Sequence, residues 1–71
     1  MELSDAFKRF RKYAKITQKQ AAQAAGVGER LYQSYEYGKV VPSATVLIAL
    51  ADFFDVSLDY LVGRSDDPQR H

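Results

Sequence analysis

The chain contains no cysteine and no tryptophan, and its one histidine is the final residue, His71. Without thiols there can be no disulfide and no thiolate metal site, a composition compatible with a reducing cytosol. A lone histidine cannot assemble a metal centre or a catalytic triad. No phosphate-binding loop and no nucleophile with an adjacent base is visible, so the sequence reads as a non-enzyme with no cofactor and no metal. Long apolar runs are missing too. The longest, Val46 to Ala51, falls far short of the roughly 20 residues that a membrane span needs. The first ten residues place Glu2, Asp5, Lys8 and Arg9 among the apolar positions, which is not the pattern of a secretory leader. The expectation is a soluble, cytoplasmic protein without a membrane partner.

What the 71 residues do hold is a folding composition, with 46% hydrophobic and 13% aromatic residues. A chain of this length buries only about 60% of its unfolded surface, which limits it to one domain with one small core. The net charge of +1 conceals an asymmetry. Residues 1–41 carry eight Lys and Arg against four acids, while residues 42–71 carry two Arg against five Asp. Basic charge on one half is what a phosphate-binding face requires, although uneven solvated faces are also common on small domains.

That basic half contains the most strongly punctuated stretch, Thr17 to Lys39. Thr17 is placed to cap a helix, with Gln20 three residues on as its capping-box partner. Gln18 to Ala25 is rich in alanine, and Gly26 is suited to the left-handed residue that closes a helix. Gly28 then opens a second helix, Glu29 to Tyr37, which Gly38 ends. Two short helices joined by a three- or four-residue corner make a helix-turn-helix. Ala21, Ala22 and Ala25 allow close crossing, and Val27 plugs the corner. On the second helix, Glu29, Arg30, Gln33 and Ser34 form a polar side, leaving Leu31, Tyr32 and Tyr35 to face the domain. A polar side of this kind is either merely solvated or a reading face for the DNA major groove.

The remaining elements are also helical. Ser4 is expected to cap a first helix running from Asp5 to about Tyr13–Lys15, with Phe7 and Phe10 on its apolar side. Val40-Val41-Pro42 reads as extended. Ser43 caps a fourth helix whose core spacing is Ala44, Leu47, Leu50, Ala51 and Phe54. Val46, Ile48 and Phe53 give this helix more apolar surface than one face needs. Ser57 caps a short fifth helix, Leu58 to Val62, closed by Gly63. The tail from residue 65 to residue 71 has no apolar residue and is expected to be flexible.

With these motifs in place, the chain resembles the Cro/C1-type helix-turn-helix family, also called the xenobiotic-response-element family, of prokaryotic and phage regulators. The residues that carry the likeness are T-Q-x-x-x-A-x-x-A-G-V from Thr17 to Val27 and Y-E-x-G-K from Tyr35 to Lys39. Pro42-Ser43 and L-A-D-F-F-x-V-S-L-D-Y-L-x-G from Leu50 to Gly63 complete it. The resemblance implies an all-α, lambda repressor-like bundle of five helices over residues 1–64. It implies a homodimer on a double-stranded DNA operator, with the third helix in the major groove, regulating transcription as a repressor. It further implies that Glu29, Arg30, Gln33 and Ser34 contact bases, and that Thr17, Gln18, Tyr37 and Lys39 contact phosphates. Arg11 and Glu36 match an internal ion pair. Phe53, Tyr60 and Leu61 are candidates for the dimer surface. Lys15 stands where the family often has glycine, so strain is expected at the end of the first helix. A rival reading is an antitoxin-like interaction module, with a toxin or an effector protein as partner and autoregulatory DNA binding.

Overall fold

A computed structural model describes residues 2–69. Five helices follow one another: α1 (Leu3–Ala14), α2 (Gln18–Ala25), α3 (Glu29–Glu36), α4 (Ala44–Phe53) and α5 (Leu58–Leu61). α2 packs against both α3 and α4, α3 packs on α1, and α5 fills the gap between α1 and α4. Among the described residues no helix is long and apolar enough to cross a membrane.

The expected signals set most boundaries. Thr17 and Gln20 form the reciprocal capping box, and Gly26 ends α2 at φ 74°. Ser43 and Ser57 each accept the amide three residues on, opening α4 and α5. α1 departs from expectation. Its N-cap is Glu2, in extended conformation and without a side-chain bond, and Ser4 lies inside the helix. α3 is shorter by one residue, with Tyr37 as its C-cap.

An aromatic cluster locks α1 to its neighbours and thereby fixes how α3 is turned. Phe7 stacks on Tyr32 at 6.0 Å between centroids and meets Tyr35 edge-on. Phe10 meets Phe54 edge-on at 5.4 Å. Ala21 and Ala22 are buried on α2, where a larger side chain would hold its neighbouring helices apart. In α4 the buried positions are Val46, Leu50 and Ala51, and Ala44, read from spacing as core, is exposed. Ala44 is the first residue of that helix and projects beyond the core's edge.

Residues 65–69 are not a free tail. The backbone amide of Ser57 donates to Pro68 O at 2.8 Å, and Ser57 Oγ donates to Asp67 O. Arg9 reaches across from α1 to donate to the carbonyls of Tyr60 and Ser65 and to the Asp66 carboxylate, at 2.7–2.9 Å. Its guanidinium also lies 4.2 Å over the Tyr60 ring. Composition points to a flexible tail over residues 65–71, of which 70 and 71 lie outside the described residues; for the part before them it cannot register a clamp made largely to backbone carbonyls.

Lys15 does close α1 in a left-handed conformation, φ 57° and ψ 46°. That conformation costs a residue with a Cβ about 1–2 kcal/mol, and glycine gives back part of the gain through its greater freedom when unfolded. Lys15→Gly should therefore stabilise the fold by about 0.5–1 kcal/mol and raise the melting temperature by about 4 °C. Thermal melts check this, and an equal rise in Lys15→Ala would assign the effect to the lost charge instead.

Candidate nucleic-acid interface

α3 has two chemically distinct sides. Tyr32, Tyr35 and Glu36 are buried, so the opposite side is turned outward. Glu29 and Arg30 are exposed, and Gln33 and Ser34 are half-exposed beside them. Tyr37 continues the same side, 62% exposed, and Lys39 is exposed in the loop that follows. All six expected contact residues from this segment are thus exposed or half-exposed. Leu31 does not face the domain as its apolar character suggested. It is 41% exposed on the flank of α3, and Glu36 occupies a buried position in its place.

A charged residue can be buried there because its hydrogen bonds are supplied. Arg11 Nε donates to Glu36 Oε2 at 2.7 Å, and Arg11 Nη2 donates to Oε1 at 3.2 Å. Gln18 Nε2 adds a third bond to Oε1 at 3.2 Å. Burial alone would raise the Glu36 carboxyl, but the bonds from Arg11 and Gln18, with the Tyr32 hydroxyl nearby, hold it below its ordinary value of 4.5. The carboxylate is therefore ionised at neutral pH. The Tyr32 hydroxyl is buried beside it with no hydrogen-bond partner of good geometry. Burial first, and then the neighbouring negative charge, push that phenol far above its usual range, so it stays neutral.

The network reaches the outer surface. Gln33 Nε2 donates to Gln18 Oε1 at 3.2 Å, joining the polar side of α3 to the start of α2. Ser34 Oγ donates to the Arg30 carbonyl at 3.1 Å, a back-bond within the helix. The serine proton is thereby engaged, which leaves the hydroxyl oxygen as an acceptor. The Arg30 side chain forms no ion pair among the described residues.

The basic half divides by use. Arg9 and Arg11 are engaged internally, and Lys8 lies 3.9 Å from Asp5. Lys12, Lys15, Lys19, Arg30 and Lys39 are exposed. At the start of α2 the capping box satisfies the amides of Thr17 and Gln20. The first-turn amides of Gln18 and Lys19 have no intrahelical carbonyl to reach.

Of the three residues considered for a dimer surface, two are core. Tyr60 and Leu61 are buried under α1 and α4, because the fifth helix is a lid on the protomer's own interior. Phe53 alone is outside, 69% exposed, with Ile48 also exposed on α4. Arg9 went unnoticed in the sequence. Its partners are carbonyls more than fifty residues away, and no local spacing announces such a contact.

Two short helices crossing at a glycine corner, the second with a polar side outward, define a helix-turn-helix protein. The chain belongs to the Cro/C1-type helix-turn-helix family of transcriptional regulators, and the helix-turn-helix family model matches residues 7–61. It is 38% identical over 61 residues to the uncharacterised HTH-type transcriptional regulator YobD of Bacillus subtilis, covering 86% of this chain and 54% of YobD. It is 33% identical over 64 residues to the phage CTXphi transcriptional repressor RstR of Vibrio cholerae, covering 90% of this chain and 57% of RstR. The chain thus spans little more than half the length of these curated relatives. Among solved structures, the DNA-binding domain of the P22 c2 repressor superposes with a TM-score of 0.81 at 25% identity, covering 100% of this chain and 92% of that one. The P22 c2 repressor in complex with a synthetic operator gives 0.78 at 25% identity, covering 92% of this chain and 98% of that one.

Proposed function

We propose that this chain represses transcription by binding an operator in duplex DNA, with α3 laid in the major groove. The observation that carries the reading is the orientation of α3. Arg30, Gln33 and Ser34 face outward on a helix whose other side is locked by Phe7, Tyr32, Tyr35 and Glu36. The fold it shares with the P22 c2 repressor, which has been crystallised with a synthetic operator, supports it. Arg30 pairs with guanine O6 and N7, and Glu29 accepts from a cytosine amino group. Gln33 and Ser34 complete the base contacts. Phosphates are held by Thr17, by Gln18 and the free amides of the first turn of α2, by the Tyr37 hydroxyl and by Lys39.

Two copies bind half-sites about 34–36 Å apart, one turn of the duplex. Phe53 and Ile48, not Tyr60 or Leu61, supply the apolar part of their contact. The binding unit comprises residues 1–64, steadied by the Arg9 clamp on the segment that follows. A toxin-like protein partner would use the same exposed α4 residues. Gel filtration together with a pull-down from the native host separates the two, since only the second reading expects a toxin-like protein to co-purify.

Selection of bound duplexes from a random pool, followed by salt titration, tests the function. The expected result is a pseudo-palindromic consensus. Counter-ions are released by cationic contacts, so Lys39 on the two protomers alone should give a log–log slope of about −2, steepened by about 0.9 for each further lysine or arginine that meets a phosphate. A pool that emerges unenriched would reject the reading.

A further inference from the structure

Gln33 is the outer end of a relay that begins at a buried charge. The Glu36 side chain is 2% exposed and paired with Arg11, and an ionised carboxylate can only accept hydrogen bonds. Gln18 must therefore turn its NH2 group toward Glu36, where Nε2 lies 3.2 Å from Oε1. Its own carbonyl oxygen is then aimed the other way and accepts from Gln33 Nε2, again at 3.2 Å. One N–H of Gln33 is thereby committed inward. Its second N–H and its Oε1 remain, one donor beside one acceptor. An isolated surface amide turns over freely, whereas this one is ordered through a single intermediary by a fixed charge.

The order matters because the two purines differ in the same way. In the major groove adenine offers an acceptor at N7 and a donor at N6, while guanine offers two acceptors, N7 and O6. A Gln33 that gave its oxygen to Gln18 would present both N–H groups outward and suit guanine. Resting on the DNA-binding reading above, we infer that the Glu36 carboxylate, acting through Gln18, fixes the rotation of the Gln33 amide and so makes adenine, not guanine, the base that Gln33 selects. Gln18 and Glu36 are positioning residues in this respect, since neither touches the base. The depressed carboxyl of Glu36 keeps the relay polarised throughout the neutral range.

The test is selection from a random duplex pool with four proteins: wild type, Gln33→Ala, Gln18→Met and Gln18→Lys. Thermal melts report that each is folded. The base position whose preference disappears in Gln33→Ala is the one Gln33 reads. There the wild type should favour adenine over guanine on the order of tenfold. Gln18→Met keeps the side-chain length without the amide and should reduce that ratio to about twofold or less, with preferences elsewhere retained. Gln18→Lys is a pure donor toward both Glu36 and Gln33 Oε1. It should turn the Gln33 amide over and reverse the preference to guanine. Loss of a phosphate contact at Gln18 would weaken all sequences alike and could reverse nothing. Guanine favoured by the wild type, or adenine favoured equally in both Gln18 variants, would overturn the relay alone. A wild-type protein that enriches no sequence would overturn the DNA reading and the relay together, and is recognised by Gln33→Ala being indistinguishable from it.

Discussion

Arg11→Met should destabilise the fold by about 3–5 kcal/mol at neutral pH, because it leaves the Glu36 carboxylate buried without its counter-ion. A 71-residue chain has roughly 4–10 kcal/mol of stability in total, so melting should fall by tens of degrees. The cost exceeds that of an exposed pair, at most about 1 kcal/mol, because the Glu36 side chain is 2% exposed. Its dependence on pH gives the sharper readout. In the wild type the folded-state carboxyl lies below its ordinary value of 4.5. Its contribution is therefore present above that value and fades as pH falls through the depressed one. Once Arg11 is gone, burial, the strongest influence on this carboxyl, is opposed by Gln18 and the Tyr32 hydroxyl alone, and the folded-state value should rise above the ordinary one. The sign then inverts: Arg11→Met gains relative stability in acid and loses it as pH climbs toward neutral. Melts from pH 3 to pH 8 of the wild type, Arg11→Met and Arg11→Met/Glu36→Gln check this. The double variant, with no buried charge, should recover much of the loss at neutral pH. A neutral-pH loss in Arg11→Met below about 1 kcal/mol would mean that the pair behaves as a surface pair.

How much of this was legible beforehand depended on how far apart the cooperating residues lie. Thr17 with Gln20, Ser43 with Val46 and Ser57 with Tyr60 are three residues apart, and each cap appears where spacing put it. The polar side of α3 follows from the same short-range periodicity, so Arg30, Gln33 and Ser34 were identifiable as a group. Ser4 reads as a cap because serine is a good one, yet helix α1 begins two residues earlier than that cap implies, at Leu3, without any side-chain bond. Hydropathy puts Leu31 toward the domain and gives no reason to bury Glu36. Burying it requires Arg11 and Gln18, 25 and 18 residues away, and only the resemblance to the family supplied the first of these. The clamp at Arg9 and the link from Gln18 to Gln33 had no sequence signature at all. Tyr60 and Leu61 on a four-residue helix carry no periodicity strong enough to distinguish lid from interface.

Arg30→Ala should leave a folded protein that still binds DNA yet has lost its discrimination at one base pair in each half-site. The fold should tolerate the change. The Arg30 side chain is exposed, the bond from Ser34 goes to its backbone carbonyl, and alanine favours a helix at least as well. A bidentate arginine–guanine pair discriminates by about 1–3 kcal/mol, and a symmetric dimer makes it twice, for about 2–6 kcal/mol per operator. Non-specific affinity should fall little, because Lys12, Lys15, Lys19 and Lys39 remain exposed for the phosphates. Arg30→Lys separates charge from geometry. It keeps the positive charge and loses the fork, so it should retain the salt slope while losing most of the preference. Replacing the guanine with 7-deazaguanine removes the N7 acceptor from the other side of the contact. That change should weaken the wild type severalfold and leave Arg30→Ala unaffected. Equal weakening of every sequence by Arg30→Ala, with a slope shallower by about one per protomer, would move Arg30 from the base edge to the phosphates and leave specificity to Glu29, Gln33 and Ser34.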